Sequence, residues 1–345
     1  MRKVAYTSFV AVLVLLGTAA PTWAQATKYA QAGMGFLKID VAANVAALGG
    51  THAGNTGRAS AMFSNPAAMA LLQGGDISSG VTDWIADIKL YGLAAAYRIG
   101  NLGVFGISIV SMDYGTFRGT RPWQQGDDPG LRDQGYISLG DFEVDEYAVG
   151  VSYARQITGQ FYVGGNIRIA HQDLGSVDII NAFTGGVEST ENSLDNIVFD
   201  FGTLYYPGYY DLRFGASVRN FSNQSDYFNQ RFELPLTLDF GIAMDLLPLF
   251  SSATGPSNSV LTLAVDWVHP RDFSERLHLG LEYGFLETLF LRGGYKVNYD
   301  EEDFTAGLGV KFESSGYGIR ADYAYAAFGG FFGSVNRITL SILLR

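Results

Sequence analysis

The chain has 345 residues, no cysteine, 43 glycines and a net charge of −11 at pH 7, and 14% of its residues are aromatic. The lack of cysteine excludes disulfides, zinc–thiolate sites and thiol catalysis, and the acidic balance argues against a nucleic-acid partner. Enrichment in glycine and aromatic residues is typical of a β-barrel with aromatic girdles.

Residues 1–24 have the pattern of a secretory signal peptide. Arg2 and Lys3 form a basic start, residues 10–16 are apolar, and Thr-Trp-Ala at 22–24 has small residues at the two positions that matter for cleavage. The apolar run is too short for a good membrane span. We therefore expect export through a cleaved signal peptide, and no other stretch is a candidate transmembrane helix.

The next segment, residues 33–72, differs from the rest of the chain because it lacks a strand-and-turn pattern. Good helix formers at 41–48 are followed by Gly49 and Gly50. Glycine tolerates the left-handed conformation that ends helices, so this pair predicts a helix end.

A second short helix is predicted at Asn65, Pro66 and Ala67. Asn can cap free backbone N–H groups, and Pro fits the first helical position. Both helices are too short to be stable alone, so residues 25–74 are expected to form a hatch that the rest of the chain encloses. The alternative is a small helical cap on a soluble β domain.

Three short motifs in this segment resemble the N-terminal signature of the PorV/PorQ family. They are GxxFLKI at 33–39, an alanine-rich run that ends in Leu48-Gly49-Gly50, and Ser64-Asn65-Pro66-Ala67. The family belongs with the FadL-like outer-membrane barrels, whose hatch carries an Asn-Pro-Ala motif. The resemblance covers about 40 residues and departs at 55–58, where Asn-Thr-Gly-Arg stands in place of an acidic pair. Any function of that pair does not carry over.

Beyond residue 75, large apolar residues alternate with small or charged ones. This period of two predicts β-strands. Fourteen strands are expected, an even number that suits an outer-membrane barrel with its apolar face toward lipid; in a soluble sandwich that face would pack on a second sheet. The predicted starts lie near Asp76, Ile88, Gly103, Glu146, Phe161, Ile197, Leu212, Leu236, Ser259, Glu275, Leu289, Thr305, Tyr317 and Asn336.

The connections between these strands alternate in length through the first half of the barrel. Long connections are predicted at 115–145, 173–196 and 220–235, with short turns between them. Such asymmetry is expected of outer-membrane barrels, whose long loops lie outside and whose short turns face the periplasm. The exception is 246–258, a long connection on the short-turn side.

Charged residues of both signs fall on the predicted lumen face of the strands. They have two interpretations: a cross-strand ladder that holds the barrel against its hatch, or a polar substrate path. The candidates are Arg168, Arg213, Arg219, Asp239, Asp266, Glu282, Arg292, Lys311, Arg320 and Asp322.

No catalytic or metal-binding motif stands out. The four histidines are scattered, and neither a Gly-x-Ser-x-Gly elbow nor a phosphate loop occurs. The acidic run 300–303 fails as a calcium loop because Asp303 stands where an EF-hand needs glycine. We expect no cofactor, no metal and no enzyme activity, although a barrel lipase would need only one serine and one histidine.

The longest connection, 115–145, is the candidate surface for a protein partner. It carries Phe117, Arg121, Trp123 and Tyr136, which are residue types that dominate protein interfaces. A lid folded into the barrel mouth and a mobile loop tip are the alternatives.

The sequence thus predicts an all-β fold: a signal peptide at 1–24, an N-terminal helical hatch at 25–74 and a fourteen-stranded antiparallel transmembrane β-barrel at 75–345. The resemblance to PorV/PorQ implies an accessory component of type IX protein secretion in the outer membrane, with secreted cargo proteins and a translocon as partners. The wider FadL-like group implies the alternative, a channel for hydrophobic small molecules.

Overall fold

A computed structural model describes residues 32–180, 187–223, 225–227, 230–249 and 258–345. The expected signal peptide, and with it residues 25–31 of the expected hatch, lies outside the described residues.

The prediction of a fourteen-stranded antiparallel barrel is confirmed. Fourteen strands pair in sequence order, and the first closes the barrel by pairing with the last. They are β1 (Gly75–Asp83), β2 (Lys89–Ile99), β3 (Gly103–Pro122), β4 (Tyr136–Thr158), β5 (Phe161–Ile180), β6 (Val187–Tyr205), β7 (Arg213–Phe221), β10 (Thr237–Asp245), β11 (Val260–Pro270), β12 (Arg276–Phe285), β13 (Leu289–Val297), β14 (Glu302–Ser314), β15 (Tyr317–Phe328) and β16 (Gly333–Leu344). Between β7 and β10, β8 (Ser225–Tyr227) and β9 (Gln230–Phe232) form a separate two-stranded sheet.

Successive side chains along each strand point alternately to the outer face and to the lumen. On β16, Leu340 is 56% exposed on the outside, whereas its neighbours Thr339 and Ser341 face the lumen and are buried. A barrel with an apolar outer band and polar lumen is the pattern of outer-membrane proteins.

Two of the predicted long loops are largely strand, which corrects their expected bounds. The strands expected near Glu146 and Ile197 start at Tyr136 and Val187, so 115–145 and 173–196 are mostly antiparallel hairpins. The β3–β4 pairing shifts register between Asp113 and Thr116, beside Gly115. A bulge of this kind interrupts the alternation, which is why the sequence pattern ended the strand there.

Inside the barrel lie four short helices that precede β1. They are the 3-10 helices Gly35–Lys38, Ala59–Phe63 and Pro66–Leu71, and the α-helix Ala43–Ala47, here α1. In the described part of the chain, no helix has the length and apolar character needed to span a membrane.

The two ends of the barrel differ. We call the end that bears the β3–β4 and β5–β6 hairpins the loop end. The opposite end, where β2 turns into β3 and where β16 finishes, is the turn end.

Candidate functional site: the hatch and the lumen

Glycines on the lumen face let the hatch backbone approach the wall. A Cβ added at Gly294 of β13 would clash with the backbone of Leu48 and Gly49, and one at Gly164 of β5 would lie 2.5 Å from the carbonyl carbon of Pro66. Because Gly has no side chain, these contacts are possible without strain. The hatch therefore packs on the wall backbone itself.

The predicted helix-ending glycines lie at one such contact. Gly49 and Gly50 have φ angles of 68° and 79°, in the left-handed region. The hydroxyl of Thr305 on β14 accepts a hydrogen bond from Gly49 N at 3.0 Å and donates one to the carbonyl of Ala47 at 3.1 Å. One wall side chain thus satisfies the backbone at the end of α1.

The Asn-Pro-Ala motif forms a second anchor. Asn65 Oδ1 accepts a hydrogen bond from Ala67 N at 3.0 Å, as expected of a cap. Its Nδ2 donates to the carbonyl of Thr203 on β6 at 3.0 Å. Asn65, Pro66 and Ala67 are all buried, so the motif both starts a helix and ties it to the wall.

At the loop end, an apolar cluster occupies the lumen. We call it the loop-end apolar cluster. Its hatch members are Met34, Phe36, Leu37 and Val41, and all are less than 10% exposed. The wall and loop members are Leu90, Val110, Met112, Ala148, Ala170, Val198 and Leu234, with Trp84, Tyr114, Leu194 and Phe232 among the partly buried residues around them.

The segment that fills this cluster, residues 32–39, has few polar attachments to the wall. Ala32 forms an isolated parallel bridge with Glu233, Gly33 N donates to the carbonyl of Glu233 at 3.1 Å, and Lys38 Nζ lies 2.5 Å from the buried Asp272. Asn220 Nδ2 donates a long hydrogen bond of 3.4 Å to the carbonyl of Leu37. Apolar side-chain packing, the ion pair of Lys38 and the backbone contacts with Glu233 together hold this segment against the wall.

Its first described turn is also conformationally unusual. Met34 has φ 52° and ψ 48°, a left-handed conformation that costs roughly 1 kcal/mol or more for a residue with a side chain.

A buried histidine of the hatch lies between two carboxylates. His52 Nε2 is 3.6 Å from Asp40 Oδ1, and Nδ1 is 3.7 Å from Asp239 Oδ2 on β10. Burial and the nearby Arg219 lower the pKa of His52, but the two carboxylates outweigh them and raise it to about 9. Asp40 is largely shielded from solvent, which raises the pKa of its carboxyl, but the positive charges of Lys296, His52 and Arg219 outweigh this and hold the pKa below the usual range. His52 is accordingly a cation at neutral pH.

A second charged group lies nearer the turn end. Arg58 of the hatch donates to Asp322 of β15 at 2.9 Å, and Arg292 of β13 donates to the other oxygen of the same carboxylate at 2.7 Å. Arg292 also donates to Glu282 at 2.5 Å. Arg58 belongs to the 55–58 stretch in which the sequence departs from PorV/PorQ.

The remaining predicted lumen charges are distributed around the wall. Arg168 pairs with Asp200 at 2.8 Å, and Arg219 pairs with Asp239 at 3.0 Å. Arg213 donates to the carbonyl of Ala53 at 2.7 Å. Asp266 accepts hydrogen bonds from the backbone N–H groups of His52 and Ala53. Lys311 pairs with Glu313 at 2.7 Å. In the described residues Arg320 has no ion pair within 4 Å, and its Nε and Nη1 are buried without a partner. Such pairing agrees with the interpretation of these charges as a cross-strand ladder. A role of these residues in a substrate path stays a prediction.

The partner-loop candidates lie away from the hatch, on the β3–β4 hairpin. Phe117 stacks on Phe142 with ring centroids 5.5 Å apart, and both rings are at least 40% exposed. Arg121 pairs with Asp127 at 2.6 Å, Trp123 Nε1 donates to the carbonyl of Asp128 at 3.0 Å, and Tyr136 pairs with Pro122 at the hairpin end. The hairpin stands exposed and does not fold into the mouth as a lid.

Three residues that organise the lumen were not predicted from the sequence: Met34, His52 and Arg337. Arg337 of β16 is only 2% exposed and donates to the carbonyl of Asp40 at 3.2 Å. In the described part of the chain, no group of three or more His, Asp or Glu side chains is arranged to hold a metal ion.

Solved structures with the same architecture supply the comparison. The toluene transporter TbuX of Ralstonia pickettii has a TM-score of 0.53 at 15% identity, covering 89% of this chain and all of that one. A FadL homologue of Pseudomonas aeruginosa has a TM-score of 0.53 at 12% identity over 87% of this chain and 96% of its own. The toluene transporter TodX of Pseudomonas putida has a TM-score of 0.51 at 12% identity over 86% and 96%. The chain therefore has a FadL-like fold.

No protein-family model matches this sequence, and no curated protein matches it either.

Proposed function

We propose that this protein is an outer-membrane channel for hydrophobic small molecules, plugged by its own residues 32–39. The observation that carries the proposal is the loop-end apolar cluster. The lumen, where a path would run, contains an apolar compartment that Met34, Phe36 and Leu37 of the hatch fill. Apolar compartments with a few polar groups at their border are the usual sites for hydrophobic ligands.

The energetics of the plug favour exchange with a ligand. Burying an apolar side chain of this size stabilises by about 1.5–3 kcal/mol, so withdrawal of three such side chains into water would be costly. A hydrophobic molecule that fills the same space restores the lost contacts. The exchange must also break the ion pair between Lys38 and the buried Asp272 and the backbone contacts with Glu233.

An apolar surface leads to this compartment from the loop end. Phe142 lies on the same face of β4 as Glu146 and Ala148, which point into the lumen, and Phe117 stacks on it. Tyr114 is partly buried against the cluster. A hydrophobic molecule captured on the hairpin would pass Glu146, whose carboxylate accepts hydrogen bonds from Tyr114 and Gln172, before it reaches the cluster.

The wall is thin beside the hatch at the turn end. An open groove of about 430 Å³ lies on the outer face of β1–β4, lined by Ala95, Phe105, Gly106 and Val151 among others. A Cβ added at Gly106 would lie 2.7 Å from Met62 of the hatch, so only backbone separates the two. The lipid side of the wall is the preferred destination of an apolar molecule.

The neighbours in structure support the same function. TbuX and TodX are toluene transporters, and a further neighbour, CymD, is a monoaromatic hydrocarbon channel.

The proposal is tested by blocking the compartment. Ala148 is buried in the loop-end apolar cluster, whereas the next residue, Val149, is 45% exposed on the outer face. Ala148→Phe should reduce the uptake of radiolabelled p-xylene into intact cells to the level of cells without the protein. Val149→Phe is the matched control and should leave uptake unchanged. Equal uptake by both variants, with both barrels folded by heat-modifiable gel mobility, would contradict the proposal.

The second candidate function, an accessory role in type IX protein secretion, rests on the resemblance of the hatch motifs to PorV/PorQ and on the exposed hairpin. Phe117 and Phe142 form an exposed aromatic pair that suits a protein partner. Replacing residues 123–135 by a short turn keeps the β3–β4 pairing. Loss of cargo release with unchanged p-xylene uptake would favour secretion, and the reverse result would reject it.

A further inference from the structure

The buried carboxylate of Glu146 has no counter-ion in the part of the chain that the structure describes. Glu146 lies on the lumen face of β4 and is only 4% exposed. Tyr114 donates a hydrogen bond to its Oε2, and Gln172 donates one to its Oε1. Both donors are neutral, and no described Lys, Arg or His side chain lies within 4 Å of the carboxylate. A buried charge is costly unless it is paired, and a glutamine at this position would avoid that cost.

The basic side chains closest to Glu146 in strand register already face other carboxylates. On the lumen face, Arg168 lies opposite Gly150, two lumen positions further from the loop end, and pairs with Asp200 at 2.8 Å. The charge interactions of the buried Arg337 are with Asp40 and Glu302. The remaining pairs are Lys89 with Asp83, Arg118 with Asp141, and His171 with Asp195. The charge of Glu146 is therefore left uncompensated.

A row of aspartates lies behind Glu146, on the outer face of the same strands. Asp113, Asp145 and Asp173 are direct register partners across β3, β4 and β5. With Lys89 of β2, the register partner of Asp113, the row has three carboxylates and one ammonium group. Like charges directly opposite one another destabilise a sheet, so strand pairing does not explain the row. Its negative potential raises the local concentration of cations at this part of the mouth.

Aromatic and apolar side chains adjoin the carboxylate on the lumen side. Phe142 lies on the same face of β4, four residues before Glu146, and stacks on Phe117. Aromatic faces attract cations as well as apolar groups. Met112, the register partner of Glu146 on β3, belongs to the loop-end apolar cluster. An unpaired carboxylate at the edge of an apolar compartment matches a molecule with an apolar body and a positively charged head.

The carboxylate also has room for a further hydrogen-bond donor. Its two oxygens offer about four acceptor sites, and Tyr114 and Gln172 occupy two of them. An ammonium group would donate a charge-assisted hydrogen bond, which is roughly twice as strong as a bond between neutral groups.

We propose that Glu146 binds the ammonium group of a hydrophobic amine, so that the channel takes protonated amines with an apolar body as well as neutral hydrocarbons. This inference rests on the proposed channel function and names a substrate class of the same compartment.

The test compares 4-methylbenzylamine, a cation at pH 7, with neutral 4-methylbenzyl alcohol, which has the same ring and a hydroxyl in place of the ammonium group. Binding of both compounds and of p-xylene to the purified full-length barrel in nonionic detergent is measured by calorimetry at pH 7. The wild type should bind the amine about tenfold or more tightly than the alcohol, the range for a hydrogen bond to a charged group. Glu146→Gln should reduce this ratio of affinities to about one.

Glu143→Gln is the matched control. Glu143 is exposed on the opposite face of β4, so this substitution removes the same charge from the same strand without altering the lumen. The preference for the amine should stay at about tenfold or more. If Glu143→Gln loses the preference as Glu146→Gln does, surface charge and not Glu146 recognises the amine, and the assignment of Glu146 is overturned.

The remaining outcomes separate this inference from the channel function. If p-xylene binds and the wild type binds the amine no better than the alcohol, the assignment of Glu146 is overturned and the channel function stands. This comparison needs no variant and therefore holds even when Glu146→Gln fails to fold. A preference that survives in folded Glu146→Gln likewise overturns the assignment. If the wild type binds none of the three compounds, the channel function itself is contradicted.

Discussion

Arg58 of the hatch and Asp322 of the barrel wall form a buried ion pair, with 2.9 Å between Nη1 and Oδ2. The other oxygen of Asp322 accepts from Arg292 at 2.7 Å. One carboxylate therefore holds a guanidinium of the hatch and one of the wall, and it joins two parts of the chain that are 264 residues apart.

Loss of this carboxylate should loosen the hatch. Asp322→Asn leaves two buried guanidinium groups without their shared anion, and breaking a buried pair in this way costs about 3–5 kcal/mol. Urea unfolding in detergent micelles should show that loss. Arg58→Gln, which removes one cation and leaves Asp322 paired with Arg292, should cost less. If Arg58→Gln is as damaging as Asp322→Asn, Asp322 does not act as the shared anion of the two arginines.

Close contact between hatch and wall gives a second prediction, with two adjacent glycines as its test. A Cβ at Gly294 would clash with the backbone of Leu48 and Gly49, whereas one at Gly293 would meet nothing within 4 Å. Gly294→Ala should destabilise the barrel by about 1–3 kcal/mol through overpacking, and Gly293→Ala should change stability by less than about 0.5 kcal/mol. Equal thermal midpoints for the two variants would show that the hatch does not press on β13.

The pKa of His52 predicts an alkaline loss of stability. The folded pKa of about 9 lies above the ordinary histidine pKa of 6.5, so the folded state binds an extra proton between these values. The charged histidine's contribution to the free energy of unfolding is fully present below pH 6.5. It disappears as the pH rises through 9. His52→Gln should remove this decline from the free energy of unfolding. A wild-type curve that is flat between pH 6.5 and 9 would contradict a charged His52.

Sequence periodicity predicted the barrel well, and the reason is local. Successive residues of a strand, such as Leu340 and Ser341, point to opposite faces of the wall. A strand can therefore be predicted from its own sequence, without knowledge of what packs on it. Turn and cap chemistry likewise predicted the helix end at Gly49-Gly50 and the cap at Asn65. The extent of the β3–β4 hairpin was missed because the bulge beside Gly115 breaks the period.

The lumen residues could be placed on the inner face but not paired. Arg58 and Asp322 are 264 residues apart in the sequence, and Arg337 and Asp40 are 297 apart. Nothing in the local sequence around His52 shows that two carboxylates will surround it. Such positions depend on barrel closure and on how the hatch lies inside it.

Adjacent residues on β16 test the two faces of the wall. Leu340 is 56% exposed on the outer face, and an aspartate there would meet lipid, costing roughly 1–2 kcal/mol. Ser341 faces the lumen opposite Arg320, whose buried Nε and Nη1 lack partners. Ser341→Asp should therefore be neutral or stabilising in the same unfolding measurement. Greater tolerance of Leu340→Asp than of Ser341→Asp would reverse the assignment of the faces.

The central claim, that residues 32–39 plug a hydrophobic channel, is tested most directly by locking the plug in place. The chain contains no cysteine, and Ala32 and Glu233 are bridge partners, close enough for a disulfide between Ala32→Cys and Glu233→Cys. Uptake of radiolabelled p-xylene by intact cells is measured for this double variant before and after mild reduction. We predict uptake at background when the disulfide is formed and wild-type uptake after reduction. Equal uptake in the oxidised and reduced states, with the cross-link verified by mass spectrometry, would contradict the claim.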